Sequence, residues 1–237
     1  MRYFTLDWYH DSLVSQMCFS LRKSPKASTL NEKFFESLYK SEKNWYVRFC
    51  KRAARFSKVP FSKEAAEAEF DKNYKDNLEF INTLPSEITL KIADMRVFAL
   101  GTVNYEMADE ITRYCGQINR KCEAVANEYE ATLNSLKKKL GDIKVDDLYL
   151  LKNAEILNAR VVSEDLEIRS ESNEFTLRLK SFSGDNLNDL AGAVIVAYEL
   201  IEISDERFSL GLLCESSDGE LVEIELSFND FEIIAGI

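Results

Sequence analysis

The chain has a single histidine, His10, and only three prolines in 237 residues. Zinc centres built on imidazole need two or three histidines, and a two-histidine, one-carboxylate iron site needs two. Both are excluded. A Ser-His-Asp triad would have to use His10, and no Gly-x-Ser-x-Gly elbow is present. A His-Asp phosphohydrolase would need several more histidines, so His10-Asp11 is read as part of an N-terminal surface. Cysteine is scarce and odd in number: Cys18, Cys50, Cys115, Cys122 and Cys214. No two form a Cys-x-x-Cys pair, so neither a disulfide framework nor a zinc ribbon is expected. Reduced, mostly buried thiols suit a cytoplasm. Long apolar runs are also missing. Ala191 to Tyr198 is about eight residues, against roughly 20 for a spanning helix. Asp7, His10 and Asp11 interrupt the N-terminal segment, so no signal peptide is expected.

What is present is charge, unevenly spread. Residues 1–140 hold 23 Lys+Arg and 19 Asp+Glu, a net of +4, whereas residues 141–237 hold 7 and 22, a net of -15. All three prolines, Pro25, Pro60 and Pro85, lie in the first part. The hydrophobic period changes near the same point, from helical to alternating. Together these shifts predict an α+β chain: an N-terminal helical, bundle-like part over 1–141, then a C-terminal antiparallel β-sheet or small barrel over 146–237.

Thr5 is a plausible N-cap for a first helix that Ser24-Pro25 breaks. Thr29-Leu-Asn-Glu32 has capping-box spacing for a second. A third is expected over 42–58, with Trp45, Phe49, Ala53 and Phe56 on one apolar stripe. Ser62 caps a fourth, with Phe70, Tyr74, Leu78 and Ile81 inward. Ser86 caps a fifth that Gly101 closes. The sixth, from Asn104 to Leu140, carries Ile111, Cys115, Ile118, Cys122, Val125 and Tyr129 at heptad spacing. Beyond Gly141, residues 175–180, 208–214 and 220–228 alternate as half-buried strands. Ala193 to Ile203 is apolar on both faces and reads as a central strand. Ser217-Asp-Gly219 has hairpin chemistry and should join the last two strands.

The opening Met1-Arg-Tyr-Phe-Thr-Leu-Asp-Trp-Tyr9 and the segment Asp94-Met-Arg96-Val-Phe-Ala-Leu-Gly101 resemble two motifs of the bacterial family designated domain of unknown function 4085. Tyr198-Glu199 and Gly219-Glu220-Leu221 are similar to its C-terminal end. The resemblance spans nearly the whole chain. It implies helices followed by strands and a bacterial cytoplasm, and no activity. Members carry a His-Asp pair where the β part begins; this chain has Asp146-Asp147 there.

Four groups of residues are candidates for function. Arg48, Lys51, Arg52 and Arg55 fall at i, i+3, i+4 and i+7, a basic helix face extended by Lys58. Such a row suits phosphate binding, a solvated surface, or docking against the acidic β part. A chain of net charge -11 repels polyanions, which disfavours nucleic acid. Asp94 and Arg96, two apart on a helix, would point to different sides. Arg96 would then bind an anion in a cleft or serve a structural ion pair. Glu223 and Glu225 share the wet face of a strand and could meet a basic partner; Glu199 and Glu202 point to opposite faces. Asp185-Asn-Leu-Asn-Asp189 is oxygen-rich but lacks EF-hand order and reads as a loop. No nucleotide loop, metal cluster or cofactor motif is found. The expected function is a non-enzymatic protein-interaction module, regulatory or immunity-like, with an acidic β face for a basic protein. An enzyme with a carboxylate/arginine site expected between the helical and β parts, and a weak nucleic-acid binder through residues 48–58, are the alternatives.

Overall fold

Side-chain caps fix where the helices begin. The structure, a computed structural model, describes residues 1–17, 21–170, 174–184 and 187–235, without the side chains of Asn188 and Ala235. Cys18, Asp185 and Asn186 lie outside the described residues. The helices are α1 (Leu6–Gln16), α2 (Glu32–Ser57), α3 (Lys63–Asn82), α4 (Ser86–Thr89), α5 (Met95–Ala99), α6 (Tyr105–Leu140) and α7 (Asp142–Asp146). The strands are β1 (Arg22–Lys23), β2 (Thr102–Val103), β3 (Ile156–Val162), β4 (Asp165–Ser170), β5 (Phe175–Lys180), β6 (Val194–Ser204), β7 (Arg207–Glu215), β8 (Leu221–Phe228) and β9 (Asp230–Ala235). The protein is α+β, with N-terminal helices followed by C-terminal antiparallel sheets.

Several boundaries differ from expectation. The expected second and third helices are one continuous α2, because nothing between Tyr39 and Glu42 breaks the backbone ladder. Its cap is Asn31, whose side chain accepts from Phe34 N at 3.0 Å, rather than Thr29. Lys58, at φ 56°, ends it in the left-handed conformation. The expected fifth helix is two short ones, α4 and α5, and the second is capped by Asp94. Thr5 and Ser62 cap as expected, accepting from Trp8 N at 3.2 Å and Ala65 N at 3.1 Å.

The chain forms two compact units, Val14–Gln117 and Met1–Leu13 with Ile118–Ile237. Compactness therefore divides the chain elsewhere than the change from helices to strands, and α6 contributes to both units. In Val14–Gln117, α2 packs on α3 through aromatic side chains. Tyr39 lies edge-on to Phe70 at 5.3 Å and to Tyr74 at 5.1 Å. Lys43 and Tyr39 share Asp71, at 2.7 and 2.6 Å. A short parallel pair, β1 with β2, ties Arg22 to Thr102.

The other unit holds two antiparallel sheets, ordered β3-β4-β5-β9 and β6-β7-β8. Isolated bridges Glu155–Val194 and Ser183–Ser227 join them at their edges. Between them lies one core containing Leu166, Ile168, Phe175, Leu177, Leu200, Leu210, Leu226 and Phe231. β7, not β6, is the central strand of its sheet, and is buried on both faces from Phe208 to Cys214. β6 is apolar on both sides for other reasons: its edge pairs with residues 154–156, and Val196 and Tyr198 line a cavity. The Ser217-Asp-Gly219 turn joins β7 to β8, and β9 follows as an additional strand. On the outer face of the larger sheet Arg160, Glu167, Arg178 and Glu232 stand in register, an alternating row with contacts of 2.7, 2.6 and 3.1 Å.

The N-terminal segment lies over the outer face of the smaller sheet. Glu199 of β6 is only 1% exposed, and no cation pairs with it among the described residues. Its charge is met by three backbone N–H groups instead. Tyr3 N and Phe4 N donate to Oε2 at 2.7 and 3.0 Å, and Arg2 N donates to Oε1. A buried carboxylate is tolerable when donors replace its lost hydration. Gly211 of β7, opposite Glu199, makes the approach possible. A Cβ there would sit 2.8 Å from Met1 Cγ and 3.0 Å from Glu199 Cγ. Glu199→Ala should lower unfolding free energy by about 3 kcal/mol, since it strands buried donors. Gly211→Val should be destabilising as well, by displacing the segment. Urea unfolding checks both; losses below about 0.5 kcal/mol, the size of an ordinary surface change, would show the segment is not anchored there.

Candidate functional site

The C-terminal half of α2 carries exposed aromatic side chains beside a row of cations. Between Glu42 and Glu64 there is no acidic residue and there are seven Lys and Arg. At about 100° per residue, the side packed on α3, through Tyr39 and Tyr46, lies roughly a quarter turn from the line Trp45-Phe49-Phe56. A single neighbour cannot cover both lines. The expected apolar stripe therefore faces outward: Trp45 is 62%, Phe49 54% and Phe56 83% exposed. Trp45 and Phe49 stack on each other at 5.6 Å, 12° from parallel.

A further quarter turn on stand Arg48, Lys51, Arg52 and Arg55, all exposed. None of them, nor Lys58, makes a side-chain ion pair among the described residues. The sequence showed the cations as a row and assigned the aromatics to a separate apolar stripe. The structure brings rings and cations together on one accessible surface. The signal that could have revealed this is length: a 26-residue helix presents more apolar stripe than one neighbour hides.

Asp94 and Arg96 do not point to different sides. Asp94 is the N-cap of α5 rather than a helical residue, so the Arg96 side chain folds back onto it. Arg96 Nε and Nη2 donate to the two Asp94 oxygens, each at 3.0 Å. Asp94 Oδ1 also accepts from Arg96 N at 3.0 Å, and Arg96 Nη1 reaches Glu32 at 2.9 Å. The guanidinium lies 4.4 Å over the Phe35 ring. Burial pushes the Asp94 carboxyl up, but the Arg96 hydrogen bonds outweigh it and hold it below the usual carboxylate range. The cluster clamps the start of α2 to the start of α5 and leaves little of Arg96 for an external anion.

The acidic strand face is partly occupied from within. Glu223 accepts from Leu6 N at 2.5 Å, and Glu225 from Ser209 Oγ at 2.8 Å. Glu202 pairs with Lys139 at 2.5 Å. Cys115, Cys122 and Cys214 are buried, and burial pushes the Cys214 thiol up to about 12, far from a reactive thiolate. No cluster of three or more metal-ligating side chains occurs among the described residues, and no described helix is long and apolar enough to cross a membrane.

Asp94→Ala removes a cap and half of a partly buried ion pair, so it should cost about 2 kcal/mol, between the two individual effects. Asp94→Asn keeps the cap and should cost less. Because the folded carboxyl titrates below the unfolded one, its stabilisation is complete above about pH 4 and fades as pH falls further. Urea unfolding from pH 6 to pH 3 should therefore show a shallower acid loss in Asp94→Asn than in the parent. Parallel profiles would contradict the clamp.

Set against protein-family models, curated proteins and solved structures, the chain gives no match.

Proposed function

We propose that the protein is a non-enzymatic interaction module and that the Arg48–Lys58 face of α2, with Trp45, Phe49 and Phe56, docks an acidic protein partner. One observation carries this reading: three largely exposed aromatic rings beside five cations, on α2 and its C-terminal cap, that make no ion pair among the described residues. Tryptophan, phenylalanine and arginine are the side chains that dominate the energy of protein interfaces. Five cations over three turns call for an acidic counterpart, whose approach they would steer. The docking surface is thus moved from the acidic β face, where Glu199 and Glu223 already hold the N-terminal backbone. Single-stranded nucleic acid is a poorer fit, because Trp45 and Phe49 each turn one ring face to the other and the chain as a whole is acidic. A lipid surface is poorer too, since an interfacial helix needs a broad apolar face and α2 offers three rings. A bacterial cytoplasmic setting and kinship with domain of unknown function 4085 are proposed alongside, on the thiols and the two N-terminal motifs.

The test is fluorescence anisotropy with three labelled probes: a glutamate-rich amphipathic helical peptide with leucines at i and i+4, a 20-nucleotide single strand, and anionic phosphatidylserine vesicles. The peptide should bind, more weakly as salt rises. Arg48→Glu with Arg52→Glu should abolish binding, and Trp45→Ala should weaken it about tenfold, both with unchanged melting temperature. Binding of only the strand or the vesicles, no binding of the peptide, or full binding by the variants would overturn the proposal.

A further inference from the structure

A cavity of about 420 Å³ opens within the unit of Met1–Leu13 and Ile118–Ile237. That volume suits a small organic ligand. Three rings form one connected wall. Phe4 meets Trp8 edge-on at 4.7 Å and Tyr129 edge-on at 4.8 Å. The wall stands where it does because Glu199 holds the backbone of Phe4. Tyr129 is fixed independently: its hydroxyl oxygen accepts from Leu200 N at 2.9 Å.

Tyr9, Tyr149 and Tyr198 complete the lining. None of them has a ring partner or a side-chain hydrogen bond among the described residues. Burial pushes the Tyr198 and Tyr129 hydroxyls up, so both rings stay neutral phenols through the physiological range. Six aromatic side chains thus border one cavity, and aromatic faces carry negative potential.

The unit that holds the cavity is acidic overall, although the lining itself carries one carboxylate and one lysine. Asp146 lies on its lining; one oxygen meets Lys137 at 2.6 Å, yet the side chain is 57% exposed. Among the described residues Lys152 is the one cation on the lining, and it is exposed. The unit as a whole holds 13 Lys+Arg and 27 Asp+Glu, a net of -14. Such a field concentrates cations and repels anions. Aromatic enclosures in an acidic field recognise ammonium groups that carry hydrocarbon, which pay less desolvation than a bare ion.

We propose that this cavity binds an organic cation, a quaternary or protonated amine on an apolar body, with its charge met by the tyrosine rings and the Asp146 carboxylate. The site is separate from the α2 surface and its occupation does not depend on that reading.

Trp8 and Trp45 are the two tryptophans, so Trp45→Phe leaves Trp8 as the sole reporter at the cavity. The full chain with that substitution is titrated with benzyltrimethylammonium, with its uncharged carbon isostere neopentylbenzene, and with phenylmethanesulfonate. The cation should change Trp8 emission saturably and bind about tenfold more tightly than the isostere. The sulfonate should not bind. Tyr149→Leu should weaken the cation severalfold with an unchanged melting temperature, because Tyr149 is 66% exposed. Equal binding of cation and isostere would mean a plain apolar cavity and would overturn the proposal. Preference for the sulfonate, absence of any saturable response, or an unaltered affinity in Tyr149→Leu would overturn it as well.

Discussion

A buried carboxylate, with no cation partner among the described residues, organises one unit of this protein. Glu199 can lie at 1% exposure only because three consecutive backbone N–H groups, from Arg2 to Phe4, stand where water would. That requirement lays the N-terminal segment across the smaller sheet. It needs a residue without a side chain at Gly211, and it sets Phe4 against Trp8 and Tyr129. The ring wall of the cavity follows from a charge that had to be solvated by the chain itself. Leu6 N on Glu223 extends the arrangement by one more donor.

The same constraint alters the meaning of the uneven charge. A net of -15 over residues 141–237 suggests a surface waiting for a basic partner. Several of those carboxylates are instead engaged locally. Glu167 lies between Arg160 and Arg178, Asp230 between Lys144 and Lys180, and Glu199 and Glu223 hold backbone. The cations of α2 are the opposite case. Among the described residues, Arg48, Lys51, Arg52 and Arg55 have no such partners, and they stand beside rings that are themselves exposed. Unpaired charge next to unburied apolar area is what a docking surface needs, and here it lies on the helices rather than the sheet.

Much of the fold was legible where local chemistry decides the outcome. Thr5, Ser62, Pro60, Pro85 and Gly219 mark boundaries that are present, and the alternation in β5 and β8 identifies their buried faces. The Ile111-Cys115-Ile118-Cys122 seam is buried as its spacing implies. The misplacements came from relations that span the chain. Whether Trp45 faces inward depends on how many helices neighbour α2, which periodicity does not contain. β6 reads as central because it is apolar on both faces, yet one of those faces lines a cavity. Asp94 and Arg96 looked divergent only under the assumption that both are helical. For the candidate sites, the cation row was visible and its aromatic company was misassigned. The cavity was invisible, since its six rings come from segments as distant as Phe4 and Tyr198. The nearest available signal was the density of aromatics in Tyr3-Phe4 and Trp8-Tyr9.

Amide hydrogen exchange, resolved by residue in the intact protein at neutral pH, measures the central arrangement directly. The Arg2, Tyr3 and Phe4 amides should exchange orders of magnitude more slowly than free peptide, although they sit at a chain end where fraying is the rule. In Glu199→Gln, which loses the charge, their protection should drop sharply while the β7 amides stay protected. Rapid exchange at these three amides in the parent protein would contradict the account, because it would leave Glu199 without its donors and the acidic sheet open to an outside partner.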